Sequence, residues 1–246
     1  MRFTVFSFAP IPDIATARDN FDLHDLSDKD VAKVLFHQRK QKTGHSELLT
    51  WDQLQIASIS LVHYSLDYVE MGSHSLQQLA EPQLIHKFYQ ALAASGQVVS
   101  WDGNSLAMPL LHFRCMQHRI SHPGYWQALR KGEQVHTDLC EALLGADNSV
   151  SLEDLAQRFR FPGMLGNDLD SVWEGYLAGD YEAVSRYSDY HALNTYLLAL
   201  EVMSLQGDMS YADAARARKK LRDYLEKDSE PRARYRDFLD AWDGRG

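Results

Sequence analysis

Cysteine is scarce in this chain: Cys115 and Cys140 are the only two in 246 residues, and both lie in apolar stretches without CxxC spacing. Neither a disulfide framework nor a zinc knuckle is suggested, and a reducing, cytoplasmic setting is expected. Long apolar runs are also missing. None approaches the length that spans a bilayer, so no membrane association is expected. The apolar run in the opening MRFTVFSFAPIPD ends at prolines after a few residues, shorter than the apolar stretch of a secretory leader. Positive charge is in deficit too. A net charge of −9 argues against a broadly basic nucleic-acid surface, because Lys and Arg contacts to phosphate supply most non-specific affinity. Any such surface must be local. No repeat period of the solenoid or propeller kind is visible.

What is present is enough for one substantial core: 45% of the residues are hydrophobic, and the length is at the upper end of a single domain. Residues 2 to 8 (RFTVFSF), aromatic and β-branched, read as a strand closed by Pro10 and Pro12. From Ser27, a Ser cap, the helical spacing of Val31, Val34 and Leu35, and a stop at Gly44 predict a helix. Strands follow at 55 to 64 and 66 to 72, a helix at 81 to 95 and a strand at 97 to 101. Helices are expected at 106 to 119, 137 to 144, 151 to 159, 168 to 177, 179 to 206, 210 to 228 and 232 to 242. The pattern is α/β, a mixed sheet followed by a largely helical C-terminal half.

Three segments carry more. Val5-Phe6-Ser7-Phe8-Ala9-Pro10-Ile11-Pro12-Asp13 is one. A second is Val99-Ser100-Trp101-Asp102-Gly103-Asn104-Ser105-Leu106-Ala107-Met108-Pro109-Leu110-Leu111. The third is Tyr187-Ser188-Asp189-Tyr190-His191-Ala192-Leu193-Asn194-Thr195-Tyr196-Leu197. Each resembles, in the right order, a motif of the predicted 3′-5′ exonucleases related to the DNA polymerase B proofreading domain, in the DEDD superfamily. Further stretches match, among them Phe36 to Gly44, His136-Thr137-Asp138-Leu139, Phe161-Pro162-Gly163 and Val172-Trp173, so the resemblance runs to about Trp242. It implies a ribonuclease H-like fold in one exonuclease-like domain, residues 1–242, with a short tail at 243–246.

The resemblance also implies what is altered. Where the family has four metal-holding carboxylates, this chain has Ser7, Ala9, Ala107 and His191. Active members hold two Mg²⁺ or Mn²⁺ ions, which generate a hydroxide and stabilise the leaving oxygen. Such hard cations require oxygen ligands. A hydroxyl, two methyls and an imidazole leave no plausible two-metal site, so no cofactor is expected. Tyr187, retained, orients the attacking water in active relatives and has little to do without a metal. Asp13, Asp102 and Asp189 are the alternative ligands to consider; Asp13 and Asp102 read better as turn or cap residues, and Asp189 falls on a different helical face from His191.

Three roles follow. In the first, an inactive homologue binds single-stranded RNA or DNA in a cleft freed of carboxylate repulsion, with Trp101, Asn104, His191, Arg39, Lys40 and Lys42 as candidate contacts and His191 adding positive charge if protonated. In the second, the chain is a protein-interaction or scaffold pseudo-nuclease, in keeping with its acidity. In the third, relocated ligands preserve some metal-dependent exonuclease activity. Two weaker signals remain. His118 and His122 have the spacing of helical metal ligands, although Pro123 ends the helix first. The segment from Arg216 to Arg236 holds nine Lys/Arg against Asp223, Glu226, Asp228 and Glu230, a local charge of +5 that reads as a solvated face.

Overall fold

The central strand sets the architecture. In the computed structural model, which describes residues 1–145, 150–227 and 234–244, β1 (Phe3–Pro12) is buried at all ten positions. It pairs antiparallel with β2 (Leu54–Tyr64), Phe3 opposite Tyr64 and Pro12 opposite Leu54, with a bulge between Ala9 and Pro10. β2 turns back into β3 (Val69–Ser75). Ser65 closes that turn, its N–H donating to the Tyr68 carbonyl at 2.9 Å and its hydroxyl accepting from the Asp67 and Tyr68 amides. On the other side β4 (Val98–Ser100) and β5 (His136–Asp138) join in parallel, giving the order β3-β2-β1-β4-β5.

β4 pairs with β1 at Thr4 and Val5. Beyond Val5, β1 has no ladder partner on that side among the described residues, with two consequences. The strand does not stop at Phe8 as the sequence suggested; it runs through Pro10 and ends on Pro12. A proline takes a donor out of the ladder, which a bulge and an open edge tolerate and a fully paired strand does not. The same opening gives access to the face of Ser7.

Side chains of β1 alternate between two cores. Phe6 and Phe8 face α1 (Ile14–Phe21), α2 (Asp28–Thr43), α3 (Glu81–Ser95), α4 (Ala107–Gln117) and α5 (Pro123–Arg130), packing with Val31, Leu35, Phe88 and Leu110. Phe3 and Val5 face α9 (Tyr181–Gln206) and α10 (Tyr211–Glu226) through Tyr196, Leu197 and Leu221. The same core takes in α6 (Leu139–Leu144), α7 (Leu152–Arg158) and α11 (Arg236–Asp243). Past the bulge, Ala9 and Ile11 pack with Ala57, Val184 and, from α8 (Leu169–Ala178), Val172.

α9 is buried along most of its length, as befits an apolar helix enclosed by other layers. One stretch of its contact with the sheet is polar. Ser58 and Ser60 of β2 meet Ser188 at 3.0 and 2.8 Å, Ser58 lies 3.4 Å from Ser185, and Ser60 donates to Asp189 at 2.6 Å. All five residues are buried.

Several boundaries differ from the sequence reading. The strand expected at 66 to 72 runs Val69–Ser75, since residues 65 to 68 form the turn. The helix expected at 137 to 144 splits: His136–Asp138 joins the sheet, and Asp138 then caps α6 through its side chain. α1 and α5 were not anticipated; Asp13 starts the first by accepting from the Thr16 amide, and Pro123 starts the second. The helix expected at 210 to 228 ends at Glu226, and residues 228, 230 and 232 of the basic segment, like the tail residues 245 and 246, lie outside the described residues. α11 extends to Asp243, one residue past the expected domain end.

Candidate functional site

A cleft of about 1130 Å³ opens beside the free edge of β1. Ser7 lines it from the strand, Trp101 from the end of β4, Ala107 from the first residue of α4, and Tyr187 and His191 from α9. The three motifs therefore meet in one place. Ala9 is the exception. It is fully buried among Ala57, Val172 and Val184 and does not line the cleft.

The loop that delivers Ala107 is rigidly held. Asp102 takes a left-handed backbone (φ 50°), a conformation Asp tolerates better than most residues. Gly103 is required by space: a Cβ there would lie 2.1 Å from the Ser100 hydroxyl. Asp138 ties the loop down, its buried carboxylate accepting from the amides of Asp102 (2.9 Å), Asn104 (2.8 Å), Cys140 (3.0 Å) and Glu141 (3.4 Å). On α9, Asn194 clasps the Phe161-Pro162-Gly163 segment, accepting from the Gly163 amide at 2.9 Å and donating to its carbonyl at 2.8 Å.

Tyr187 and His191 are one helical turn apart, their ring centroids 5.9 Å from each other. Both residues are half-buried. Burial pushes the Tyr187 phenol up to about 12, with Asp168 adding to the effect, and pushes the His191 imidazole down to about 4. His191 is thus neutral near pH 7, and the positive charge considered for a protonated ring is not supplied there. Its Nδ1 is shielded and has no hydrogen-bond partner among the described residues.

The alternative ligands disperse. Asp13 caps α1, accepts from the Thr16 hydroxyl at 2.7 Å and is ion-paired to the buried Arg114, on the wall of a separate cavity of about 300 Å³. Asp189 turns toward β2 and receives Arg234 at 2.5 Å. Asp102 reaches the cleft, its carboxyl pushed up by burial and by Asp138. No group of three or more His, Cys, Asp or Glu placed to hold a metal occurs among the described residues. The donors at the motif positions do not fit a pair of hard cations.

Of the candidate nucleic-acid contacts, Trp101, His191 and Arg39 line the cleft. Arg39 is turned to the Leu48 carbonyl (2.9 Å), Lys40 is paired with Glu47 (2.7 Å), Lys42 faces the smaller cavity, and Asn104 is committed to Glu141 at 2.5 Å. On α10, Arg216, Arg218 and Arg222 are each ion-paired. His118 bonds Glu81 and His122 stacks on Tyr89, so the two do not share a ligand site.

Sequence reasoning missed what else surrounds the cleft. Among the described residues its wall carries Glu47, Asp102, Glu153, Asp154, Asp168 and Asp170, against one lining Lys or Arg, Arg39. The cleft is not emptied of negative charge: carboxylates from the starts of α7 and α8 and from the loops at Glu47 and Asp102 line it. The overall acidity of the chain was the one available hint.

A mixed five-stranded sheet flanked by helices, with this cleft at the open edge of its central strand, is a ribonuclease H-like α/β fold. Residues 46–242 match the family described as predicted 3′-5′ exonucleases related to the exonuclease domain of PolB, and the chain belongs to that family. Ala107, Tyr187 and His191 fall inside the matched span, which begins after β1. No curated protein matches the chain.

Proposed function

We propose that this chain is a non-catalytic member of its exonuclease family that keeps the cleft as a docking site for a protein partner. The observation that carries the reading is the convergence of Ser7, Ala107 and His191 on one cleft, where the family resemblance expects carboxylates and the chain offers a hydroxyl, a methyl and a neutral imidazole. Two-metal phosphodiester cleavage needs charged oxygen ligands at those points. Single-stranded RNA or DNA is the less favoured occupant, because the six carboxylates and one arginine that the described residues set on the wall repel a phosphate chain rather than attract it.

The test is incubation of 3′-labelled RNA and DNA oligonucleotides with Mg²⁺ or Mn²⁺, followed by fluorescence anisotropy of the same oligonucleotides. The expected result is intact substrate and no salt-sensitive binding at micromolar protein. Metal-dependent shortening that disappears in Asp102→Asn would overturn the non-catalytic reading. Salt-sensitive binding without shortening would leave it standing and make nucleic acid the occupant.

A further inference from the structure

We infer that the cleft takes an extended peptide segment in which Lys or Arg alternates with large apolar side chains, an inference that rests on the docking reading above. Two independent properties of the wall point to this chemistry. The first is apolar: Phe6, Phe8, Trp101 and Trp173 line the cleft, and Leu48 and Trp51 stand at its mouth with 66% and 39% of their surfaces exposed. Exposed large apolar residues beside a concave apolar surface mark a binding groove more often than ordinary surface. The second is charge. Glu47 has Lys40 as its counter-ion, whereas Glu153, Asp154, Asp168 and Asp170 form no ion pair with any described residue. These four belong to the N-terminal turns of α7 and α8 and their caps, so their positions are fixed by the helices rather than by flexible loops.

Size and composition narrow the occupant. The volume of about 1130 Å³ is at or above the usual range of small-molecule sites, up to about 1,000 Å³, and suits a stretch of polypeptide. A bare metal ion is disfavoured, since the carboxylates do not converge as a ligand group among the described residues. A cationic peptide satisfies both properties: its apolar side chains cover Leu48 and Trp51, and its charges face α7 and α8. His191, which lines the cleft, has a shielded Nδ1 with no hydrogen-bond partner among the described residues, and a backbone or side-chain donor of such a ligand would satisfy it.

The test is selection from a phage-displayed library of random peptides about ten residues long against the immobilised full chain, run in parallel on Asp154→Asn/Asp170→Asn and on Leu48→Ser/Trp51→Ser. The expected result is enrichment of Lys or Arg interspersed with Leu, Phe or Trp. A synthetic peptide of the enriched sequence should lose at least fivefold in affinity on each double variant, and about 1.4 kcal/mol corresponds to a tenfold loss. Circular dichroism of the variants confirms that they are folded. No enrichment, acidic enrichment, or affinity unchanged in both variants overturns the inference. Displacement of the peptide by a thymidine oligonucleotide at equal concentration assigns the cleft to nucleic acid instead. Metal-dependent cleavage of that oligonucleotide would sink the non-catalytic reading whatever the peptides do.

Discussion

Two sets of interior positions in this chain are treated in opposite ways. Asp13, Glu81, Asp138 and Asp189 are buried anions, each fully engaged. Glu81 accepts from the Ile56 amide at 2.7 Å, from Arg114 Nε at 2.8 Å and from His118 at 2.8 Å. Asp13 shares Arg114, Asp189 has Arg234, and Asp138 takes four amides. Ser7, Ala9, Ala107 and His191 carry no charge near neutral pH, and among the described residues Arg39 is the one Lys or Arg lining the cleft that Ser7, Ala107 and His191 share. The difference teaches that this interior readily holds a carboxylate wherever a fixed cation or a set of amides answers it. At the motif positions the answering charge would have to be a metal, and the side chains there do not call for one.

The contrast can be broken at its strongest point first. Arg114→Met leaves Asp13 and Glu81 as buried anions without their shared cation and is expected to lower the unfolding free energy by about 3–5 kcal/mol, read by urea denaturation. Next is pH. His191 has a folded pKa of about 4, below its ordinary value, so its neutral form stabilises the fold above pH ~6.5, and that contribution is lost as pH falls toward 4 and then levels off. The loss is on the order of 3 kcal/mol, measurable as the difference between the stability–pH profiles of wild type and His191→Gln; His136, shifted the same way, cancels in that difference.

A third change sharpens the comparison by converting one set into the other. Ser7→Asp/Ala107→Asp places two carboxylates in the cleft without a counter-charge and should cost about 2 kcal/mol, with part of the melting temperature recovered on adding Mn²⁺, whereas wild type should show no Mn²⁺ response. An unresponsive variant would separate these positions from any ligand role. The smallest effect is Asp138→Ala. Loss of a helix cap costs about 1–2 kcal/mol, and hydrogen exchange at the Asp102 and Asn104 amides should quicken as their acceptor disappears.

Much of this was legible in the sequence because periodicity and motif order are local signals. The spacing of Val31, Val34 and Leu35 located α2, and three ordered segments pointed to the family that the match over residues 46–242 shows. Pro10 and Pro12 misled because a proline's cost depends on whether its edge is paired, which is a tertiary fact. β5 was invisible because three residues give no alternation to read. The acidic wall escaped notice for a different reason: Glu153, Asp154, Asp168 and Asp170 lie between the second and third motifs in sequence and belong to two helix starts, and no pattern along the chain says that both starts face Ser7 and His191 across the same opening.

The serine seam between β2 and α9 has a mechanical meaning. Hydrocarbon surfaces can slide past one another at modest cost, since their attraction depends on area and not direction. Hydroxyl pairs cannot. A slip of one helical turn, about 5.4 Å, would part Ser188 and Asp189 from Ser58 and Ser60 and leave several polar groups buried and unanswered. The seam therefore acts as a key cut into an otherwise greasy interface, and because Tyr187 and His191 ride on the same turns of α9, it is this key that sets how far along the sheet they stand.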